Sequence, residues 1–131
     1  MRGPLGMTPP QKLGRAAPTI PVRDVAAATR FYGVAFGLEV SFTNGEPPSY
    51  VVLKKDAAEI HLSQCADPAP RAQNVMHLIV SDARAASLSC AEAGGVIVEA
   101  LRDAPWGMRT FVVQDLDGHR IDVGQPLDRD R

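Results

Sequence analysis

Phe111-Val112-Val113-Gln114-Asp115-Leu116-Asp117-Gly118-His119-Arg120-Ile121-Asp122-Val123 has the spelling of a β-hairpin. Phe111, Val112 and Val113 run into a turn at Asp115-Leu116-Asp117-Gly118, and His119 to Val123 return. Asp-Gly between β-prone runs marks such a turn, because glycine accepts positive φ without steric cost. Side chains alternate along the returning strand, so Ile121 and Val123 share one face while Arg120 and Asp122 share the other. One face suits a core, and the other carries charge.

An earlier stretch repeats the statement. Tyr50-Val51-Val52-Leu53 leads into Lys54-Lys55-Asp56-Ala57-Ala58 and returns as Glu59-Ile60-His61-Leu62. Ile60 then matches Ile121, Leu62 matches Val123, and His61 matches Asp122. Further upstream, Val22-Arg23-Asp24 before an Ala-rich segment recurs as Val80-Ser81-Asp82 before another. With the same offset Ile20 meets Leu78, Gly37 meets Gly95 and Val40 meets Val98. A repeated unit of this kind leaves an apolar face that neither copy covers alone, so the two pack as a pair.

The chain has 131 residues, 45% of them hydrophobic, which suffices for one compact domain with a real core. A formal net charge of -1 without a block of like charges speaks against nucleic acid or an anionic membrane surface as partner. No apolar h-region opens the sequence and no stretch approaches a membrane span, so a cytoplasmic protein is expected. Two cysteines, Cys65 and Cys90, fit free thiols in a reducing compartment better than a disulfide framework.

Residues 1–16, rich in Gly and Pro, are expected to form a flexible leader, and residues 127–131 a frayed polar tail. Between them lies one domain, 17–126, with the first repeat at about 17–66 and the second at about 75–126. The first strand is expected over Pro18 to Arg23, with Ile20 and Val22 on one face and Thr19, Pro21 and Arg23 on the other. Asp24 caps a helix bearing Val25, Ala28, Phe31, Tyr32 and Ala35 on one side, and Gly37 suits its left-handed exit. Leu38 to Thr43 continues as a strand, and Asn44-Gly45-Glu46-Pro47-Pro48 turns into the first hairpin. In the second copy Met76 to Val80 is a strand, Asp82 caps a helix ended by Gly94-Gly95, and Val96 to Ala100 is the next strand. An irregular loop with Pro105-Trp106-Gly107 is expected from Leu101 to Arg109. The fold class is thus α+β: two paired β-α-β-β-β units forming a curved, cup-shaped mixed sheet with helices on its outer face.

Asp24 with Phe31-Tyr32 and Gly37-Leu38, then Trp106-Gly107-Met108-Arg109, then Asp115-Leu116-Asp117-Gly118-His119-Arg120-Ile121-Asp122, together resemble the vicinal oxygen chelate superfamily. This group comprises glyoxalases, bleomycin resistance proteins and extradiol dioxygenases. The Trp-Gly-x-Arg element is most similar to the bleomycin-resistance branch. The resemblance implies a cup that binds a small organic molecule, an antibiotic to be sequestered or another ligand, in a homodimer that sometimes exchanges units between chains.

In metal-using members, the same resemblance implies four ligand positions, which fall here on Ala17, His61, Val75 and Asp122. Ala17 and Val75 offer no donor, and two ligands fall short of the three that catalytic sites ordinarily supply. The expectation is therefore a binding protein without cofactor. The alternative is a metal-dependent lyase, isomerase or dioxygenase in which His61 and Asp122 hold a divalent ion with a third ligand from His77, ~6.6 Å along the strand from Val75, or from the substrate. Without a metal, His61 and His77 are neutral polar side chains lining a wet cavity.

Six residues are candidates for ligand contact: Thr19, His61, His77, Trp106, Arg109 and Asp122. Trp106, the only tryptophan, either walls a pocket where it stacks on a flat or cationic ligand or plugs the end of the barrel. Arg109 either anchors an anionic group or pairs with an acidic neighbour, and His119 is expected at an exposed turn. Asp115-Leu116-Asp117-Gly118 is not a calcium loop, since Arg120 stands where glycine is needed. Spacing alone assembles no nucleophilic triad, and no phosphate loop or nucleophile elbow appears.

Overall fold

The computed structural model describes residues 10–128. Residues 1–9 of the expected leader and 129–131 of the expected tail lie outside the described residues. Ten elements follow in order: β1 (Thr19–Val22), α1 (Val25–Phe36), β2 (Glu39–Asn44), β3 (Tyr50–Lys55), β4 (Ala58–Gln64), β5 (Asn74–Ile79), α2 (Ala83–Glu92), β6 (Val96–Ala104), β7 (Met108–Gln114) and β8 (Arg120–Pro126). They form two four-stranded mixed sheets of matching order, β1-β4-β3-β2 and β5-β8-β7-β6, in an α+β fold. In each sheet the first and last strands of the unit run parallel, and the remaining neighbours are antiparallel.

The register repeats between the sheets at the positions that flank His61 and Asp122. Thr19 lies opposite His61 in the first sheet as His77 lies opposite Asp122 in the second. Val52 faces His61 from the other side, as Val112 faces Asp122. Helix starts match as well. Asp24 accepts from the N–H groups of Ala26 and Ala27, and Asp82 from that of Ala85, satisfying donors that the first helical turn leaves free. A second cap comes from the end of each unit's last strand: Gln64 Oε1 accepts from Val25 N–H at 3.0 Å and Gln125 Oε1 from Ala83 N–H at 2.9 Å.

The apolar faces of both sheets and both helices enclose one continuous core. It contains Ile20, Val22, Leu53, Ile60 and Leu62 from the first sheet, and Phe111, Val113, Ile121 and Val123 from the second. From α1 come Val25, Ala28, Phe31, Tyr32 and Ala35, whereas Ala-rich α2 fully buries only Ala83 and Cys90. Burial pushes the Cys90 thiol up to about 12, so it behaves as a small apolar group rather than a nucleophile. A Cβ on Gly95 would come within 2.7 Å of Val113 Cγ2 and 3.1 Å of Phe31 Cε1, and this close approach lets the two units meet.

The organising hairpin is also the clasp between the units. Tyr32 Oη donates to Asp115 Oδ2 at 2.7 Å, while Asp115 Oδ1 accepts from the N–H groups of Asp117 and His119. Arg23 donates from its backbone and its guanidinium to Asp117 Oδ1. His119 is only 3% exposed, because its Nε2 donates to the Pro21 carbonyl at 2.7 Å. The exposed turn position expected for His119 is thus corrected: unit one covers the turn. The expected loop from Leu101 to Arg109 is corrected too, since β6 runs to Ala104 and β7 resumes at Met108. Two register shifts in β6 absorb the irregular sequence there.

Candidate functional site

Each sheet has a face turned away from its helix, and alternation along the strands decides what stands on it. In unit two, Ile121 and Val123 enter the core and Asp122 takes the opposite side, together with its register partner His77. His77 Nδ1 and Asp122 Oδ2 are 2.7 Å apart. They lie in a groove of about 470 Å³ whose lining also includes Ile79, Trp106, Met108, Thr110 and Gly124. Trp106 stands 66% exposed at the turn between β6 and β7, and the Arg102 guanidinium lies 5.3 Å from the centre of its ring. That distance is within cation–π reach.

The equivalent face of unit one is built differently. His61 Nδ1 lies 2.6 Å from Tyr50 Oη, and its Nε2 lies 2.6 Å from Glu59 Oε2. The Glu59 carboxyl is held below its usual range, chiefly by the His61 hydrogen bond, with Lys54 and Arg15 adding to the effect. Lys54 Nζ and Arg15 Nη1 approach its other oxygen at 3.8 and 3.5 Å. Thr19 is exposed on the strand beside His61.

The six candidates therefore fall into three places. His77, Trp106 and Asp122 share the groove of unit two. Thr19 and His61 are neighbours on unit one. Arg109 is on neither open face: it alternates with groove-lining Met108 and pairs across the ladder with Gln125, whose side chain caps α2. Its guanidinium donates Nε to Asp103 Oδ1 at 2.7 Å and Nη2 to Oδ2 at 3.2 Å. That contact raises Arg109 and lowers Asp103 from their ordinary values.

Sequence reasoning missed Tyr50, Glu59, Met108, Thr110 and Arg102. Glu59 was open to discovery, because it stands two residues before His61 on the same strand face. Tyr50 was not, since only the register of β3 against β4 sets its hydroxyl beside the imidazole.

The superfamily's metal positions do not fit a metal in this chain. Ala17 and Val75 carry no donor, and Val75 falls where the register slips between Asn74 and Met76. His61 is engaged by Tyr50 and Glu59, and Asp122 by His77. Among the described residues no three His, Cys, Asp or Glu side chains gather closely enough to share an ion.

The profile of the Glyoxalase/Bleomycin resistance protein/Dioxygenase superfamily matches residues 12–123. The chain belongs to this superfamily. Similar solved structures include TioX from Micromonospora sp. ML1, 23% identical, covering 85% of this chain and 97% of that one with a TM-score of 0.69. TnmS3, an antibiotic binding protein from Streptomyces sp. CB03234, is 23% identical over 84% of this chain and 93% of its own, with a TM-score of 0.67. A glyoxalase-related enzyme from Fulvimarina pelagi is 20% identical over 92% of this chain and 94% of its own, with a TM-score of 0.71. At such identities the likeness is one of fold. In sequence, Rv0887c of Mycobacterium tuberculosis (strain ATCC 25618 / H37Rv) is 42% identical over 52 residues, 40% of this chain. The match spans about a third of the length of the curated relatives. Among the described residues no helix is long and apolar enough to cross a membrane.

Proposed function

We propose that the protein binds a small planar organic molecule, an antibiotic or a compound of similar shape, in the groove of unit two. The observation that carries this reading is Trp106, an indole left 66% exposed beside a largely apolar groove whose lining includes the His77–Asp122 pair. Large aromatic surface exposed next to a few fixed polar groups is the usual make-up of a ligand site. Met108 and Ile79 supply apolar contact, and Asp122 supplies an acceptor for a donor on the ligand. TnmS3, which is similar in fold, is an antibiotic binding protein, and this supports the ligand class.

The working unit in this reading is a cytoplasmic homodimer. Edge strands β2 and β6 expose Val40, Phe42, Val96, Ile97 and Val98, apolar surface that a second copy would cover. Cys65 and Cys90 are unpaired, which suits a reducing compartment.

The test titrates a panel of aromatic antibiotics, bleomycin included, while Trp106 emission is followed. A bound ligand changes the emission, and Trp106→Ala weakens binding by about 1 to 3 kcal/mol with little change in thermal melting. A panel that neither perturbs the emission nor binds more weakly to the variant rejects this site.

A further inference from the structure

We propose that Tyr50, His61 and Glu59 form an acyl-transfer centre on the open face of unit one, with activated carboxylic esters as its substrate class. The three side chains make a continuous hydroxyl–imidazole–carboxylate chain through two contacts of 2.6 Å. An ionised Glu59 only accepts, so Nε2 carries the proton and Nδ1 is left as the acceptor for the Tyr50 hydroxyl. A nucleophile within hydrogen-bond reach of a base that a third group orients is the general logic of covalent catalysis, and it is recognised by geometry rather than by sequence order. Lys54 and Arg15 lie 3.8 and 3.5 Å from the far oxygen of Glu59 and favour its ionised form, and the 2.6 Å contact of Glu59 with Nε2 orients the ring.

As the Tyr50 oxygen bonds to the acyl carbon, its proton passes to His61 Nδ1, and Glu59 stabilises the resulting imidazolium. The tetrahedral adduct then expels the alcohol, which leaves with the proton from Nδ1. Water attacks the acyl-tyrosine, giving a proton to His61. The carboxylic acid departs as the bond to Tyr50 breaks and the phenol regains its proton. One ester and one water are consumed, and no electrons are transferred. Ser63 lies opposite Tyr50, and Thr19 opposite His61, so hydroxyl donors flank the pair on both neighbouring strand positions. Tyr50 and His61 are the catalytic residues, and Glu59 is a positioning residue. The centre uses unit one alone and stands independently of ligand binding in unit two.

The experiment measures p-nitrophenyl acetate hydrolysis by the full chain, with a Cys65→Ser background to remove reaction at the half-buried thiol. Acetylated Tyr50 is expected in peptide digests of quenched reactions. Tyr50→Phe and His61→Gln should each lower kcat/KM about 100-fold, the low end of the range for proton-transfer groups. Glu59→Gln should lower the single-turnover rate constant for acetylation of Tyr50, which the amount of folded protein does not change, and Glu59→Asp, which keeps the carboxylate, should restore part of it. Tyr50→Phe keeps the ring that packs edge-on against His61, and melts of each variant verify folding. If Tyr50→Phe does not fold, His61→Gln decides by the same criterion. A rate within about twofold of the parent in the folded variant, or acetyl groups confined to lysines, overturns the proposal.

Discussion

The two units share a backbone and differ in what they place on it. Both begin a helix at an aspartate, both brace that helix with a glutamine from the last strand, and both pair a first-strand residue with His61 or Asp122 in the same register. Inside, α1 contributes the aromatic pair Phe31 and Tyr32 where α2 offers Ser89 and Cys90. Outside, unit one carries the hydrogen-bonded chain through Tyr50, His61 and Glu59, whereas unit two opens a groove beside Trp106. Backbone hydrogen bonding confines the caps and register to a few solutions, while the open faces do no work for the core. Chemistry is free to diverge there.

The largest expected effect lies in the core. Phe31→Ala should cost about 3 to 5 kcal/mol in urea-induced unfolding, as removal of a buried ring leaves a cavity. Ser89→Ala, at the equivalent place in α2, should leave stability within about 0.5 kcal/mol. Equal losses would show that the units share the core evenly.

Next comes the clasp. Tyr32→Phe leaves a buried carboxylate oxygen without its donor and should cost about 1 to 3 kcal/mol. Burial raises Asp115 above its ordinary value, against the lowering effect of Tyr32 and the backbone donors. A carboxyl raised in the folded state contributes stability that is fully present below its unfolded pKa and is lost as pH rises through the folded one. Asp115→Asn should therefore flatten that segment of the curve of stability against pH. A segment that keeps its slope in the variant would assign the dependence to another group.

The glutamine braces give a smaller and sharper test. Gln64→Ala and Gln125→Ala should each cost about 0.5 to 1.5 kcal/mol, and by similar amounts, since each removes one hydrogen bond to a helix N-terminus. A twofold disparity between the two midpoint shifts would break the equivalence of the units at this position. Smallest of all, Trp106→Ala should change thermal stability by less than about 0.5 kcal/mol, because its ring is mostly exposed. A loss of several kcal/mol would turn Trp106 into a structural plug and remove the wall of the groove.

Much was legible in the sequence because much of this fold is written in local rules. Strand alternation separated Ile121 and Val123 from Asp122, Asp24 and Asp82 announced helix starts, and the repeated spelling gave two β-α-β-β-β units. These signals act within a few residues, through steric alternation and the free N–H groups of a first helical turn. Tertiary structure alone decided the rest. It buried His119 beneath Pro21 and sent Arg109 to Asp103 on the helix side. It also set the Tyr50 hydroxyl against His61 and extended β6 through two register shifts into what the sequence spelled as loop. Each of those outcomes depends on pairing between residues distant in the chain. A single register shift moves a side chain to the other face, and no count of apolar residues reveals where the shift falls.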